Sequence, residues 1–308
     1  MRLETVADPA PAAGEVLVRM DAIGLNFIEV YFRKGLYKTA LPFIPGTEGA
    51  GTVVALGDGV TDVQVGDRVA STNFVGSYAE LSLVKADRLV PLPAGVSARI
   101  GAAAMLQGMT AHYLTHSVYT LRRGDWCLVH AAAGGVGLIL CQIAARIGAR
   151  VIGTVSTPEK AALARVAGAE ATILYTQQNF VDKVKTITGG AKVKVVYDSV
   201  GAATFLGSMD CLAVRGMLAL FGQSSGPVAP FDPTILNAKG SLFVTRPTLG
   251  HYIATRAELE WRAGDILGWV NDRSLDIRID REIPLERVAE AHEALEARLT
   301  TGKVVIVP

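Results

Sequence analysis

Residues 125–150, DWCLVHAAAGGVGLILCQIAARIGAR, constrain the fold more than any other stretch. The apolar run Trp126–Ala131 is long enough for one buried strand. It turns through Gly134, Gly135, Val136 and Gly137. It then continues with Leu138, Ile139, Cys141, Ile143, Ala144 and Ile147, largely at helical spacing, up to Gly148. Strand, glycine turn and helix in that order give a glycine fingerprint its meaning. The glycines let the backbone turn tightly and approach a pyrophosphate, whose charge then sits at the helix N-terminus. The first position of G-x-G-x-x-G is here Ala132. Leu128–Ala145 is also nearly uncharged, which raises a membrane helix. Two adjacent glycines near its middle, His130 and Gln142, and the alternating patterns downstream count against one.

Residues 1–105 read as β-rich. Glu15–Met20 is apolar at alternate positions, Gly46–Leu56 is a glycine-punctuated strand, and Arg68–Ala70 and Tyr78–Val84 are short strands. Phe27–Arg33 is a short helix ending at Gly35. Short strands with glycine turns suggest a small barrel or sandwich. Residues 97–121 have helical character and bridge to a regular βα alternation. Strands are expected at 126–131, 151–155, 171–174, 193–198, 216–221 and 241–245, with helices at 135–147, 158–167, 179–188 and 202–213. Such short apolar strands suit a parallel sheet covered on both faces, and six of them in this alternation fit a doubly wound, Rossmann-type α/β sheet. The tail is expected to hold a long helix, Tyr252–Val270, a strand at Ile277–Ile279, an amphipathic helix, Leu285–Leu299, and a last strand, Lys303–Val307.

The chain has 308 residues, enough for one large or two ordinary domains. Lys and Arg number 30 and Asp and Glu 29, a net charge of +1 that gives no electrostatic reason to expect nucleic acid or an anionic membrane. Hydrophobic content is 50% against 19% charged, so a large core is expected, with apolar surface suited to a subunit interface. Cys127, Cys141 and Cys211 form no C-x-x-C pair and fall in apolar patterns, as buried thiols of a reducing, cytoplasmic setting would. MRLETVADPAPAAGE lacks an apolar core, so secretion is not expected.

In this fold an acidic residue at the end of the second strand usually holds the adenosine ribose hydroxyls of NAD. Here the strand ends in Val155, followed by Ser156, Thr157, Pro158, Glu159 and Lys160. A 2′-phosphate would meet no carboxylate at the strand end. Ser156 can donate to it and Lys160 can supply charge, so the pattern points to NADPH. No metal site is expected. His112 and His116 stand at i and i+4, but no Glu follows His112 as H-E-x-x-H requires and no third ligand is evident.

Taken together, GLNFIEVYFRKGLY (24–37), PGTEGAG (45–51), GDRVA (66–70), MLQGMTAHYL (105–114), HAAAGGVG (130–137), VVYDSVG (195–201), FGQSSG (221–226), GSLFVTRPTL (240–249) and TTGKVVIVP (300–308) resemble the zinc-independent, zeta-crystallin-like NADPH:quinone oxidoreductases of the medium-chain dehydrogenase/reductase superfamily. That branch commonly carries A-x-G-G-V-G. Its zinc-dependent relatives place a Cys where Asn26 stands and a His where Thr47 stands. The resemblance implies a GroES-like β-rich catalytic domain, 1–105 completed by 250–308, beside a Rossmann NADPH-binding domain, 106–249. It also implies the contacts. Gly134, Gly135 and Val136 face the pyrophosphate, while Ser156, Lys160 and Tyr175 surround the 2′-phosphate and adenosine. Ser199, Phe221, Gln223, Ser224, Thr245, Arg246 and Pro247 lie along the rest of the cofactor. Asn26, Phe27, Tyr31 and Thr110 approach from the cleft, and Arg298 from the tail. Family members usually begin with one more strand before RLETVADPAP, so an open sheet edge is expected there.

The expected activity is metal-free transfer of reducing equivalents from NADPH to a quinone, with Asn26 hydrogen-bonding the acceptor carbonyl and Tyr31 orienting it or relaying a proton. An enone or 2-alkenal reductase is the alternative on the same chemistry, with Tyr31 or Tyr37 as proton donor. A protein that binds NADPH without turnover, as lens or RNA-binding relatives do, is a third. Near-neutral charge and the lack of a basic, aromatic stripe speak against RNA. A homodimer through the edge strand Ser241–Thr245 is expected from the family habit and from the need to protect that edge.

Overall fold

The computed structural model describes residues 1–308, which divide into two compact units, Met1–Met109 with Ile253–Pro308, and Thr110–Tyr252. The first opens with β1 (Glu15–Gly24), α1 (Phe27–Arg33), β2 (Gly49–Leu56), β3 (Arg68–Ser71), β4 (Leu81–Lys85) and β5 (Val90–Pro91). Along β1, Val16, Val18, Met20, Ala22 and Ile23 are buried while Arg19 and Asp21 are exposed, the alternation of a half-solvated strand. Its first half pairs with β4, from Glu15↔Lys85 to Arg19↔Leu81, and β2 runs antiparallel along its other side. Helix α2 (Ala98–Tyr113) carries the chain into the second unit and closes in a π-helical turn over residues 114–118.

The second unit alternates without interruption: β6 (Trp126–Val129), α3 (Gly135–Ile147), β7 (Arg150–Val155), α4 (Pro158–Val166), β8 (Ala171–Leu174), α5 (Phe180–Ile187), β9 (Val193–Asp198), α6 (Phe205–Asp210), β10 (Leu212–Leu220), α7 (Thr234–Ala238), β11 (Phe243–Thr245) and α8 (Leu249–Tyr252). All six strands are parallel, in the order β11-β10-β9-β6-β7-β8. The chain thus builds outward from β6 to β8, then returns to lay β9 on the other side of β6. That reversal opens a crevice at the carboxyl ends of β6 and β9, where ligands of such sheets bind. Leu128, Ile152, Ile173, Val196 and Leu218, one from each of five strands, fill the core.

The tail forms α9 (Arg256–Asn271), β12 (Ile279–Pro284), α10 (Val288–Glu296) and β13 (Lys303–Val307). Strand β13 pairs antiparallel with the end of β1, Ile23↔Ile306, and parallel with β12, so the last strand joins the first sheet. That sheet runs β12-β13-β1-β2-β3-β5, with β4 beside β1.

Several boundaries differ from the sequence pattern. The helix expected over Tyr252–Val270 starts later, as α9 at Arg256, because Thr255 and Glu258 cap each other's backbone there, while Tyr252 ends the separate α8. The strand expected at Ile277–Ile279 lies at Ile279–Pro284, and the fourth helix of the βα series is only Phe205–Asp210. Strand β10 begins at Leu212, earlier than expected. Residues 1–12 contain no strand.

The glycine turn packs directly on β7. A Cβ on Gly153 would lie 2.7 Å from the Cβ of Ala132, and the Ala132 amide donates to Thr154 O at 3.1 Å. Ala132 is therefore tolerated at the first fingerprint position because Gly153 opposite it has no side chain. Gly153→Ala should destabilise the protein by about 1–3 kcal/mol through overpacking, and adding Ala132→Gly should recover much of that loss, as read by urea denaturation.

Candidate functional site

The β6–α3 turn begins with Ala131 in the left-handed region, φ 51°. Gly134 is extended at the N-cap of α3, and no side chain caps the helix. Its first-turn N–H groups therefore have no N-cap side chain to meet them. A Cβ on Gly137 would come within 2.3 Å of Ala131 O, so only glycine lets the helix start this close to the strand. An uncapped helix start under a glycine turn fits a pyrophosphate, and hence a dinucleotide.

The neighbouring strand ends line up with this turn by topology. Val155 ends β7 and Leu174 ends β8, with Tyr175 N–H bonded to Val155 O at 3.1 Å and Thr176 Oγ1 to Ser156 O at 3.1 Å. The side chain at the end of β7 is apolar. Thr157 caps α4 by accepting from Lys160 N–H, and a hydrogen bond with Thr157 holds the Glu159 carboxyl below its ordinary range. On the other side, Phe221 N–H donates to Asp198 O and Ser224 N–H to Ser199 O. A Cβ on Gly222 would strike Ser199 O at 2.7 Å. Thr245 stands beside Ala219 in the β10–β11 register, and Arg246 donates to Leu220 O at 3.1 Å. Gly134, Gly135, Val136, Ser156, Lys160, Tyr175, Ser199, Phe221, Gln223, Ser224, Thr245, Arg246 and Pro247 thus follow the ends of six adjacent parallel strands.

Beneath this edge lies a buried network. The Asp198 carboxylate, fully buried, accepts from Val200 N–H at 2.8 Å, Gly201 N–H at 3.1 Å, Thr204 Oγ1 at 2.7 Å and Ser208 Oγ at 2.8 Å. Ser208 spends its one proton on Asp198, so at 3.0 Å His130 Nε2 must donate to Ser208 Oγ. His130 Nδ1 is then the acceptor for Thr154 Oγ1 at 2.9 Å. Burial holds the His130 pKa down despite the nearby Asp198 charge, consistent with this neutral tautomer.

The first unit holds a second buried set. Asn26, Glu29, Glu48 and Lys303 are all at most 5% exposed. Lys303 Nζ pairs with Glu48 Oε2 at 2.5 Å and with Asn26 Oδ1 at 2.7 Å. Glu29 Oε2 accepts from Asn26 N–H at 2.9 Å, while its Oε1 has no partner. Burial pushes the Glu29 carboxyl up to about 8, so it is protonated at neutral pH. Two residues further along α1, Tyr31 is buried at 7% exposure against Phe27 (ring centroids 6.0 Å apart) and Tyr37 (5.4 Å).

Comparison with known proteins places this geometry. The alcohol dehydrogenase GroES-like domain model matches residues 12–94 and the zinc-binding dehydrogenase model residues 135–261. The quinone oxidoreductase of Pseudomonas aeruginosa is 49% identical over 98% of this chain and 93% of its own. The 2-haloacrylate reductase of a Burkholderia species is 40% identical over 99% and 94%. The crystal structure of Escherichia coli quinone oxidoreductase complexed with NADPH superposes with a TM-score of 0.96 at 44% identity, covering 99% of this chain and 94% of that one. The chain belongs to the quinone oxidoreductase family of medium-chain dehydrogenases/reductases.

Within that family frame, Thr110 is a buried residue of α2 in the second unit, while Asn26, Phe27, Tyr31 and Arg298 belong to the first. Arg298 is exposed and left-handed, φ 60°, just past α10. The Asn26 side chain is engaged within the first unit. Asn26 Nδ2 donates to Glu48 Oε2 at 2.8 Å and Gly24 O at 3.3 Å, and Oδ1 accepts from Lys303 and Gln107. Its amide thus has four partners within the first unit. No three His, Cys, Asp or Glu side chains converge as a metal site would need, and His112 and His116 stack on each other with centroids 4.2 Å apart. Glu29, Glu48 and Lys303 were missed from sequence. Their signal is a lone charge inside an apolar run, as in FIEVYF, GTEGAG and KVVIV.

The Glu29 environment has a measurable consequence. Between its ordinary value of 4.5 and about 8, the folded state keeps a proton that the unfolded state releases, so stability falls as pH rises through that window. His292, lowered to about 4 by burial, acts in the opposite sense below 6.5. From about pH 6.5 to 8, Glu29→Gln should therefore lose stability less steeply than the parent in urea titrations. Parallel curves would exclude a buried, protonated Glu29.

Proposed function

We propose that this chain is an NADPH-dependent quinone reductase that needs no metal. The observation that carries this is the uncapped α3 start under its glycine turn, with no carboxylate at the end of β7, in a chain 49% identical to a quinone oxidoreductase. In this reading 1–105 with 250–308 forms the catalytic domain and 106–249 the NADPH-binding domain. Bound NADPH supplies a hydride. The protein's work is to bind, orient and exclude water.

The N–H groups of Gly134, Gly135 and Val136 would hold the pyrophosphate. Ser156 and Lys160 would bind the 2′-phosphate, with Tyr175 against the adenosine. Ser199, Phe221, Gln223, Ser224, Thr245, Arg246 and Pro247 would line the remaining length, with Thr110 and Arg298 as further contacts. Asn26, Phe27 and Tyr31 would form the acceptor side. Tyr31, buried against Phe27 and Tyr37, would orient a quinone there. A quinone, once reduced, takes protons from solvent, so no strong acid is required. Likeness to 2-haloacrylate reductase favours a second reading, reduction of an activated double bond, with Tyr31 or Tyr37 as proton donor. The protein would work in the cytoplasm; no helix is long and apolar enough to cross a membrane.

The test follows loss of reduced-nicotinamide absorbance with 1,4-benzoquinone, 9,10-phenanthrenequinone and a small enone, each with NADPH and NADH, with and without chelator. Quinone turnover that prefers NADPH and ignores chelator is expected. Lys160→Ala should raise KM for NADPH by roughly tenfold while leaving kcat and the NADH reaction nearly unchanged. Faster turnover of the enone would favour the second reading, and NADPH binding without any turnover would reject both.

The exposed edge of β11, where Phe243 is 56% accessible, would be covered by the same strand of a second copy. Multi-angle light scattering should give twice the chain mass of 32.5 kDa, and a monomer would reject this assembly.

A further inference from the structure

The buried set around Asn26 has no task in the account above, and stability does not supply one. Desolvating an ion pair is costly, and a well-packed apolar pair is often as stable. What Glu48 and Lys303 do that an apolar pair could not is choose one orientation of an amide. The carboxylate faces Asn26 Nδ2 at 2.8 Å and the ammonium faces Oδ1 at 2.7 Å. A flipped amide would set NH₂ against ammonium and oxygen against carboxylate. The pair is itself anchored, since Glu48 Oε1 accepts from Leu106 N–H of α2 at 2.6 Å. Gly24 leaves room for it: a Cβ there would fall 2.3 Å from Glu48 Oε2. Asn26 is the N-cap of α1, and its own N–H is held by Glu29 Oε2. Fixing this residue by both side chain and backbone fixes the start of the helix that carries Phe27 and Tyr31.

We propose that Glu48 and Lys303 are positioning residues: through the Asn26 amide they lock the first turn of α1 and so place Tyr31 for the electron acceptor. The inference rests on the acceptor-side reading of Asn26, Phe27 and Tyr31.

The deciding variant is the double substitution Glu48→Gln, Lys303→Met, which removes both charges and leaves neither unpaired. Expected is a urea midpoint and an NADPH affinity, by fluorescence titration, close to the parent. kcat/KM for 1,4-benzoquinone should fall by about tenfold or more, the scale of a misplaced reacting group. Asn26→Ala should show a similar loss, and combining all three should add little, as for residues acting as a unit. If Asn26→Ala loses turnover while the double variant keeps it within about twofold, the pair is merely structural and the proposal fails. If Asn26→Ala keeps full turnover, nothing is positioned through its amide and the proposal fails; if Tyr31→Phe keeps full quinone turnover, the acceptor-side reading fails first and takes the proposal with it. Should the double variant not fold, Lys303→Arg keeps the charge but replaces a point donor with a planar fork. Lost quinone turnover at unchanged NADPH affinity would support the proposal, and unchanged turnover would overturn it.

Discussion

The carboxylate of Asp198 is the interaction on which the second unit's functional edge depends. It sits at the end of β9, where the strand order reverses, and it satisfies the two amides that turn the chain away, Val200 and Gly201. Through Ser208 and His130 it reaches Thr154 on β7. Three parallel strands are thus tied at their carboxyl ends by side chains, in the place where their ladder bonds stop. A parallel sheet fixes the strands but not the loops that follow them. Here the loops start from a common, fully bonded network, so the glycine turn and the segment after β9 leave the sheet in defined directions.

The first unit solves a different problem with different physics. Its buried set contains two carboxylates and one ammonium, Glu29, Glu48 and Lys303. One proton balances the account. Glu48 takes the ammonium directly, and Glu29, without a cation of its own in contact, is held protonated by burial. The contrast with Asp198 is in the donors. Asp198 is met by two amides and two hydroxyls and needs no counter-charge in contact. Glu48 is met by an amide, a carboxamide and an ammonium. A carboxylate among neutral donors can serve as a fixed knot, whereas one paired with an ammonium imposes a direction on whatever lies between them.

The legible part of this molecule was the part written in period and punctuation. The six strands and four of the five helices of residues 126–245 were visible because short apolar runs alternate with segments of helical period, and β8, β9, β13, α1 and α3 fall at the expected residues, whereas the single-turn α7 is too short to show a period. The tail was less legible because Tyr252–Val270 keeps helical composition through a capping box, so the break after Tyr252 is a local hydrogen-bond effect that periodicity does not register. At the site, the glycine turn announces itself, because glycine has few reasons to recur at that spacing. The Asn26 amide did not. Whether it faces a ligand or an internal ion pair depends on Lys303, 277 positions away, and no local pattern joins them.

This difference in legibility has a physical source. The carboxyl edge of the parallel sheet is built from backbone: N–H groups at a helix start and carbonyls packed so close that Gly137 and Gly222 admit no Cβ. Backbone requirements restrict residue type at single positions, and so leave a mark that can be read one residue at a time. The buried set around Asn26 is built from side chains whose partners come from β1, the residue before β2, α2 and β13. Each of those residues can change if its partner changes with it. Such a set can drift while the fold stays fixed, whereas a position that admits only glycine cannot.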